Sequence, residues 1–474
     1  MEWNIMGFRE DVSITVDALD AFARDARKRE GPVLRQERLV PLQNALDVAH
    51  LIEHGGLEGQ TLQRFLDTYL AASTRLHHPG YMAHQVAVPL SQSAIAALVD
   101  GFTNNAMAIY EMGPAAAAVE HAVINWMLEK IGWRPCVSEA SDETADGGGV
   151  LTHGGSLANL TALLAARARV APNAWQEGNP SHLVIVASPS SHYSVSRAAG
   201  IMGLGPVRYA PTDSAGRLDP TRLSGFLAGL QQEGTLPLAL VANACGTALG
   251  LYDPLREIAH ICRQHHIWLH VDGAHGASAL LSQRLRHLLD GIELADSVVW
   301  DAHKMLRSST LCAAVLTRDP LALDRAFREE ASYLFHEKDQ PGIDLIHRTV
   351  ECTKAALGLK VFFALASQGE KSIAATIERQ TAFAQETAAY LRTEPEIEVA
   401  VEPQSNIVCF RFDGPDSLQL KLRRRLTESG NFYISTAEAL GRRWLRIVFM
   451  NPSTNLNDVV ALINELREYL KSGV

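Results

Sequence analysis

The sequence predicts an α/β protein built around a mostly parallel sheet, with a helical amino-terminal arm and a small α+β unit at the carboxyl end. Three observations lead to this prediction. Helical periodicity dominates from residue 11 to about residue 76. Short apolar runs alternate with helical segments between about 135 and 349, as in a parallel sheet buried on both faces. A long helical region after residue 350 leads into two alternating strands and a last helix.

The amino-terminal arm is expected over residues 1–100. Its segments DALDAFARDARKRE and LQRFLDTYLAAS place apolar residues three or four positions apart, which is the helical spacing. The run HHPG at 77–80 interrupts this pattern because proline and glycine are poor helix formers. A second helical stretch, 91–133, leads from the arm into the sheet region.

The central unit is expected over residues 101–349 and the small carboxyl-terminal unit over 350–474. The central apolar runs are LVIVAS, LALVANA, IWLHVDGA, SVVWDA and LCAAVL, and at least four are followed by polar residues. Ligands of open α/β sheets collect at the carboxyl ends of the strands, so we expect the functional site there. The small unit contains the strands SNIVCFRF and RRWLRIVFM and the helix LNDVVALINELREYLKS.

Composition argues against several classes of protein. The 474 residues include 43 Lys plus Arg and 53 Asp plus Glu, a net charge of −10 that would repel nucleic acid. The six cysteines are scattered without metal-type spacing, so we expect no metal site and reduced thiols, as in a cytoplasmic protein. No secretion signal is recognisable, and no run approaches the roughly 18 apolar residues of a membrane helix. We therefore expect neither a nucleic-acid nor a membrane partner.

Three motifs carry polar residues that could hold a ligand. LTHGGS, at 151–156, precedes a helix whose free N–H groups would suit a phosphate, although such turns are often only helix caps. HVDGAHG, at 270–276, ends a strand in Asp272, which either caps a turn or meets a cationic ligand. VVWDAHK, at 298–304, ends in Lys304, which taken singly is typical of a surface lysine. Together, a phosphate cradle, an acid and a lysine are the three anchors that pyridoxal phosphate requires.

HVDGAHG, the longer run ADSVVWDAHKML at 295–306 and four other motifs resemble those of the pyridoxal-phosphate-dependent amino-acid decarboxylases, the group that includes glutamate, cysteine sulfinate, 2,4-diaminobutyrate and aromatic amino-acid decarboxylases. The other matches are HP at 78–79, YEMGP at 110–114, SHYSVSRA at 191–198 and LRIVFMNP at 445–452. The resemblance runs from about residue 75 to the end. It implies a fold-type I enzyme, a homodimer with active sites between its subunits. It also implies removal of the α-carboxylate of a small L-amino acid of the glutamate, aspartate or diaminobutyrate type.

The resemblance assigns the cofactor contacts residue by residue. Lys304 matches the lysine that forms an imine with the cofactor aldehyde, and Asp272 matches the acid that faces the pyridine nitrogen. His192 matches the imidazole stacked over the ring, with a buried structural histidine as the alternative. These three are the expected catalytic residues. The remaining cofactor contacts are Gly154, Gly155 and Ser156 at the phosphate, with Thr152 as a further candidate, and Thr247, Ala274 and His303.

The resemblance also indicates substrate contacts. Arg446 matches the arginine that pairs with the substrate α-carboxylate, for which a guanidinium is well suited, and an ordinary strand arginine is the alternative. The segment YMAHQ at 81–85 falls where relatives line the side-chain pocket, so His84 and Gln85 are candidates. YEMGP and RIVFMNP are nearer the glutamate and diaminobutyrate branch than the aromatic one. Whether the substrate side chain is acidic or basic stays open.

The chain departs from the family pattern in one loop. Relatives carry a tyrosine there that protonates the substrate carbon after CO₂ leaves. The corresponding stretch, 333–347, has no tyrosine after Tyr333, which matches a different family position. His336 or His347 could donate the proton instead, because imidazole titrates near neutrality. Two alternatives therefore stay open: a pyridoxal enzyme with another outcome, such as aldehyde formation or a lyase reaction, and a non-catalytic paralogue.

Overall fold

The amino-terminal arm is helical in the computed structural model, which describes residues 5–135, 145–327 and 342–473. Its helices are α1 (Ile5–Arg27), α2 (Leu39–Ala45), α3 (Val48–His54) and α4 (Gly59–Ala72). Helix α1 packs against α4, whereas α2, α3 and α4 contain no buried residue. Across the described ranges, every helix falls short of the length or the apolar character that a bilayer crossing requires.

A seven-stranded sheet follows the arm. Its strands are β1 (Gly148–Thr152), β2 (Leu183–Ala187), β3 (Arg208–Tyr209), β4 (Leu236–Asn243), β5 (Trp268–Asp272), β6 (Ser297–Asp301) and β7 (Ala313–Thr317). Their spatial order is β1-β7-β6-β5-β4-β2-β3. Strand β7 runs antiparallel to β1 and β6, and the other neighbouring strands are parallel. The predicted mostly parallel sheet is confirmed.

Strand β1 was not predicted from the sequence. It begins with Gly148 and Gly149, and glycine is depleted in strands. A Cβ atom on Gly149 would lie 2.6 Å from the carbonyl oxygen of Val315 on β7. Glycine therefore permits the close approach of β1 to β7. The two glycines also leave the strand without the apolar run by which a buried strand is recognised in a sequence. The five predicted apolar runs form β2, β4, β5, β6 and β7.

Two apolar layers cover the two faces of this sheet. Because side chains alternate along a strand, Leu151 and Trp300 enter one layer while Val150 and Val299 enter the other. The helices of this region are α5 (Ser91–Thr103), α6 (Pro114–Ile131), α7 (Gly155–Val170), α8 (Ala174–Glu177), α9 (Tyr193–Ile201), α10 (Pro220–Gln232), α11 (Leu255–Gln264) and α12 (Ala322–Phe327). Short 3-10 helices lie at Tyr110–Met112, Gly276–Leu281, Arg286–Leu289, Ile292–Leu294 and Leu345–Arg348.

The carboxyl-terminal region forms a second, four-stranded antiparallel sheet with helices. Its elements are α13 (Leu357–Gln368), α14 (Glu370–Arg392), β8 (Ile397–Val399), β9 (Ile407–Phe412), α15 (Asp416–Ser429), β10 (Ser435–Ala439), β11 (Arg442–Val448) and α16 (Leu456–Lys471). The strand order is β10-β11-β9-β8. Phe410, Phe449 and Leu462 are buried in the core of this region. The predicted small α+β unit is confirmed.

Candidate active site

The carboxyl ends of β4, β5 and β6 and the first turn of α7 line a cavity of about 660 Å³. The register pairs Asn243, the last residue of β4, with Asp272, the last residue of β5. Parallel strands present their carboxyl ends to one edge, which brings these residues together. The predicted site residues that line the cavity are His84, Gln85, Gly154, Gly155, Ser156, His192, Thr247, Asp272, Ala274, His303, Lys304 and Arg446.

Lys304 lies on the turn that follows β6. Its Nζ is 3.2 Å from Oδ2 of Asp301, the last residue of that strand. The Asp301 side chain is 2% exposed, and its Oδ1 has no hydrogen-bond partner in the described part of the chain. Nε2 of His303 lies 3.8 Å from the same carboxylate. The carboxylate therefore holds the lysine amine at the sheet edge, where a cofactor aldehyde could reach it.

The amino terminus of α7 opens into the cavity without a side-chain cap. Gly154, the residue before the helix, has a φ of 98°, a backbone conformation that favours glycine. A Cβ atom on Gly155 would lie 2.9 Å from Oδ2 of Asp301, so glycine is needed for this close packing. The free N–H groups of the first turn and the partial positive charge of a 16-residue helix suit a phosphate.

Asp272 ends β5 with its carboxylate in the cavity wall. Its Oδ1 accepts a hydrogen bond from the backbone N–H of Ala274 at 3.2 Å, and its Oδ2 accepts one from Nδ2 of Asn159 at 3.0 Å. The residue is 7% exposed. A buried carboxylate held by two donors is well placed to meet a protonated ring nitrogen.

His192 precedes helix α9 and lines the same cavity. Its Nδ1 accepts a hydrogen bond from the backbone N–H of Ser194 at 3.2 Å and lies 2.8 Å from the Ser194 hydroxyl. Burial lowers the pKa of His192 below its ordinary value, while the charge of Asp272 acts in the opposite direction. The imidazole is therefore mainly neutral at neutral pH.

Arg446, on β11, carries an incompletely paired guanidinium into the other end of the cavity. Its Nη1 donates to the carbonyl oxygen of Ala83 at 3.3 Å and to the Ser435 hydroxyl at 3.2 Å. Its Nε and Nη2 are buried and have no hydrogen-bond partner among the described residues. Two free donors on a buried cation are costly unless an anion binds them. This end of the cavity is therefore suited to a carboxylate.

Main-chain hydrogen bonds attach the segment 81–85 to the small sheet. The N–H of Met82 donates to the carbonyl oxygen of Tyr433, and the N–H of Val448 donates to the carbonyl oxygen of Met82, both at 2.9 Å. This attachment places the segment beside Arg446, so that two distant parts of the chain form one wall of the cavity.

His84 and Gln85 complete that wall. Nε2 of His84 lies 3.1 Å from the Tyr433 hydroxyl, and Nε2 of Gln85 is buried without a partner in the described ranges. Burial lowers the pKa of His84, and the positive charges of Arg446 and Arg423 lower it further. The wall is therefore a region of positive potential.

Several residues that line the cavity were not assigned a role from the sequence: His153, Asn159, Tyr193, Asn243, Cys245, His275 and Asp301. Asp301 and His275 lie inside the motifs at 298–304 and 270–276, so their positions could have indicated that they line the site. Asn159 lies one helical turn after Gly155, so helical spacing places both on one face of α7. The spacing could have been used, but a single asparagine in an Ala-rich helix does not by itself indicate a functional residue.

Two predicted residues do not line the cavity, and a third lies outside the described residues. The Thr152 hydroxyl donates to the carbonyl oxygen of Ala313 at 3.3 Å, and the residue does not line the cavity. His347 lies on the 3-10 helix Leu345–Arg348 and is likewise not a lining residue. His336, like Tyr333, lies outside the described residues.

The sequence profile described as "Pyridoxal-dependent decarboxylase conserved domain" matches residues 63–413. The chain belongs to this family. This decarboxylase is 30% identical to human cysteine sulfinic acid decarboxylase over 451 residues, which cover 90% of this chain and 88% of that protein. It is 27% identical to L-2,4-diaminobutyrate decarboxylase from Acinetobacter baumannii over 489 residues, which cover 98% and 92% of the two chains. The crystal structure of mouse CSAD is similar with a TM-score of 0.84 at 26% identity, covering 97% of each chain.

The chain is therefore a pyridoxal-phosphate-dependent amino-acid decarboxylase of fold type I. The predictions of family, fold, cofactor and reaction class are confirmed. The cavity fits the cofactor on three observations. The start of α7 has no side-chain cap and is free for a phosphate, Asp272 offers a buried carboxylate to a ring nitrogen, and Lys304 offers an amine in the same cavity.

Proposed function

We propose that this decarboxylase acts on a small L-amino acid with an acidic side chain, such as glutamate, aspartate or cysteine sulfinate, and releases the amine and CO₂. The observation that carries this proposal is the end of the cavity formed by Arg446, His84 and Gln85, where the buried Nε2 of Gln85 has no hydrogen-bond partner among the described residues and could donate to an acidic side chain. Among the described lining residues, the carboxylates are Asp272 and Asp301, and both lie at the sheet edge. Because Arg446 is taken up by the α-carboxylate, an ammonium group on the substrate side chain would have no protein counter-ion among the described lining residues at this end.

The proposal assigns separate tasks to the residues of the cavity. When bound, pyridoxal phosphate withdraws electrons from the bond between the substrate α carbon and its carboxylate. Lys304 holds the cofactor covalently, and Asp272 keeps a proton on the ring nitrogen through its negative charge. His192 covers the ring, and Arg446 orients the α-carboxylate with two hydrogen bonds. The phosphate contacts are Gly154, Gly155 and Ser156, with further cofactor contacts from Thr247, Ala274 and His303.

A substrate panel tests the proposal. We expect kcat/KM for glutamate, aspartate or cysteine sulfinate to exceed that for 2,4-diaminobutyrate by at least about 100-fold, because burying an ammonium group without a counter-ion is costly. CO₂ release and product identity are measured together for each amino acid. Comparable or faster turnover of 2,4-diaminobutyrate would contradict the acidic assignment.

The sequence of the loop at 333–347 leaves a second reaction product open, an aldehyde or ammonia in place of the amine. No tyrosine follows Tyr333 in the stretch 333–347, so the usual proton donor to the α carbon is not evident. His336 is the proposed donor, since His347 does not line the cavity in the described part of the chain, and the product is then the amine. Aldehyde or ammonia in place of the amine, in the same panel, would instead favour a decarboxylation-dependent aldehyde former or a lyase.

The proposed assembly is a homodimer in which a second copy covers the arm. Helices α2 and α3 contain no buried residue, and Val40 and Ile52 are 61% and 81% exposed. Apolar side chains at that exposure gain stability when a partner removes them from water.

The double variant Val40→Glu, Ile52→Glu is expected to dissociate the dimer, since it places two charges in the covered surface. Molar mass by light scattering should fall from that of two chains to that of one. Activity should fall with it if the active sites lie between subunits. Leu420→Glu, at a 45% exposed leucine of α15, is the control and should leave the dimer intact. A dimer that persists in the double variant would rule out this surface.

A further inference from the structure

A chain of buried hydrogen bonds runs behind the cavity from Trp268 on β5 towards His192. The Trp268 indole N–H donates to the Ser297 hydroxyl at 2.7 Å, and this hydroxyl lies 2.8 Å from Nδ1 of His270. Nε2 of His270 lies 2.9 Å from Oδ1 of Asn159. These four residues before His192 are at most 3% exposed, so water does not compete for their hydrogen bonds.

Asn159 divides this chain into two branches. Its Nδ2 donates to Oδ2 of Asp272 at 3.0 Å and to the hydroxyl of Ser194 at 2.9 Å. The Ser194 hydroxyl in turn lies 2.8 Å from Nδ1 of His192. A single amide therefore contacts the carboxylate proposed to face the ring nitrogen and the hydroxyl that holds the imidazole.

Donors and acceptors in this chain have one consistent direction. A carboxylate only accepts, so the Nδ2 of Asn159 must face Asp272 and its Oδ1 must accept the Nε2–H of His270. Burial lowers the pKa of His270 to about 4, so the ring is neutral and its Nδ1 has no proton. The Ser297 hydroxyl therefore donates to that Nδ1 while it accepts from the indole, which is a donor only. The hydrogen bond from His270 therefore fixes the orientation of the Asn159 side-chain amide.

We propose that Asn159 is a positioning residue that fixes the Asp272 carboxylate for the cofactor ring and, through Ser194, keeps His192 in the Nε2–H tautomer. The His192 tautomer follows from the order of donors and acceptors described above. The Ser194 hydroxyl accepts from Asn159, so its own proton goes to Nδ1 of His192, which then carries none. This inference rests on the roles proposed above for Asp272 and His192, but not on the identity of the substrate.

Binding of the cofactor to the full chain tests the Asp272 branch without any substrate. The probes are pyridoxal phosphate and its analogue in which CH replaces the ring nitrogen, which offers Asp272 no proton. In Asn159→Ala, we expect the Kd of pyridoxal phosphate to rise about 10- to 100-fold, the range for a lost hydrogen bond to a charged group. The Kd of the analogue should change by less than about threefold, because its binding does not use the Asp272 charge.

Ser194→Ala is the matched control, since it breaks the branch to His192 and leaves Asn159 and Asp272 in contact. Its Kd values for both compounds should stay within about threefold of wild type. In ¹⁵N spectra of histidine-labelled protein, the His192 signals, identified by their loss in His192→Gln, should show Nε2–H in wild type. In Ser194→Ala they should show a larger share of the Nδ1–H tautomer, because the backbone N–H of residue 194, 3.2 Å from Nδ1, is then the donor that remains.

Asn159→Leu serves if the alanine variant does not fold, because leucine keeps about the same side-chain volume. It offers no donor to Asp272 or Ser194, so the same selective loss of pyridoxal phosphate binding is expected. Equal weakening of both compounds in the Asn159 variants, an unchanged Kd for pyridoxal phosphate, or a wild-type His192 protonated on Nδ1 would each overturn the inference. Failure of the substrate panel with these binding results intact would count against the proposed substrate alone.

Discussion

We expect Lys304→Ala to lose decarboxylase activity by at least about 1,000-fold, because it removes the amine that we propose holds the cofactor covalently until the substrate amine replaces it. Lys304 is the only lysine among the described residues that line the cavity. Its amine lies 3.2 Å from the buried carboxylate of Asp301, at the edge where β6 ends. Activity is measured as CO₂ release with saturating pyridoxal phosphate.

Borohydride reduction followed by peptide mapping shows which lysine carries the cofactor. In wild type the label should lie on the peptide that contains Lys304, and in Lys304→Ala it should be absent. Lys304→Arg separates charge from chemistry, since it keeps a cation beside Asp301 but provides no amine for an imine. It should be as inactive as the alanine variant. A label on another peptide, or wild-type activity in either variant, would contradict the assignment.

Arg446→Met is expected to lower kcat/KM by about 100- to 1,000-fold, which corresponds to the loss of two hydrogen bonds between charged groups. Steady-state kinetics with an acidic amino acid should show most of the effect in KM if Arg446 binds the α-carboxylate equally in the ground and transition states.

The same substitution should leave the cofactor-free protein as stable as wild type, or more stable by about 1–3 kcal/mol, because it removes buried donors that have no partner. The Ala83 carbonyl would not be orphaned, since it also accepts from the Ser435 hydroxyl at 2.9 Å. Denaturant unfolding of the two apoproteins measures this difference.

Arg442→Met is the matched control on the same strand. Arg442 is 54% exposed at its side chain and pairs with Glu398 at 2.7 Å, so its loss should change neither kinetics nor stability by much. An Arg446→Met enzyme with wild-type KM, or one whose apoprotein is strongly destabilised, would show that Arg446 is a structural residue instead of a substrate contact.

The parts of the site that could be read from the sequence lie at the ends of single elements. Asp272 and Lys304 follow runs of apolar residues that form β5 and β6, and Gly155 begins α7. Each of these positions follows from the local pattern, because strand ends and helix starts are marked by the residues on either side of them. Parallel strands then bring their carboxyl ends to one edge without further information.

Other parts of the fold gave no such local signal. Strand β1 begins with two glycines whose role is visible once β7 lies against them. The antiparallel direction of β7 is also absent from its apolar run, since a buried strand has the same pattern in either direction.

Local pattern thus predicted five of the seven strands of the large sheet, the edge where the candidate site lies and the three anchors proposed for the cofactor. The assembled fold shows that segment 81–85 joins the small sheet beside Arg446, and that Nε and Nη2 of this arginine have no partner among the described residues. It also shows that Asn159 connects Asp272, through Ser194, with His192. The physical reason is that periodicity depends on neighbours in the chain. Burial and hydrogen-bond direction depend on which distant segments meet, and these contacts form when the sheets and helices pack.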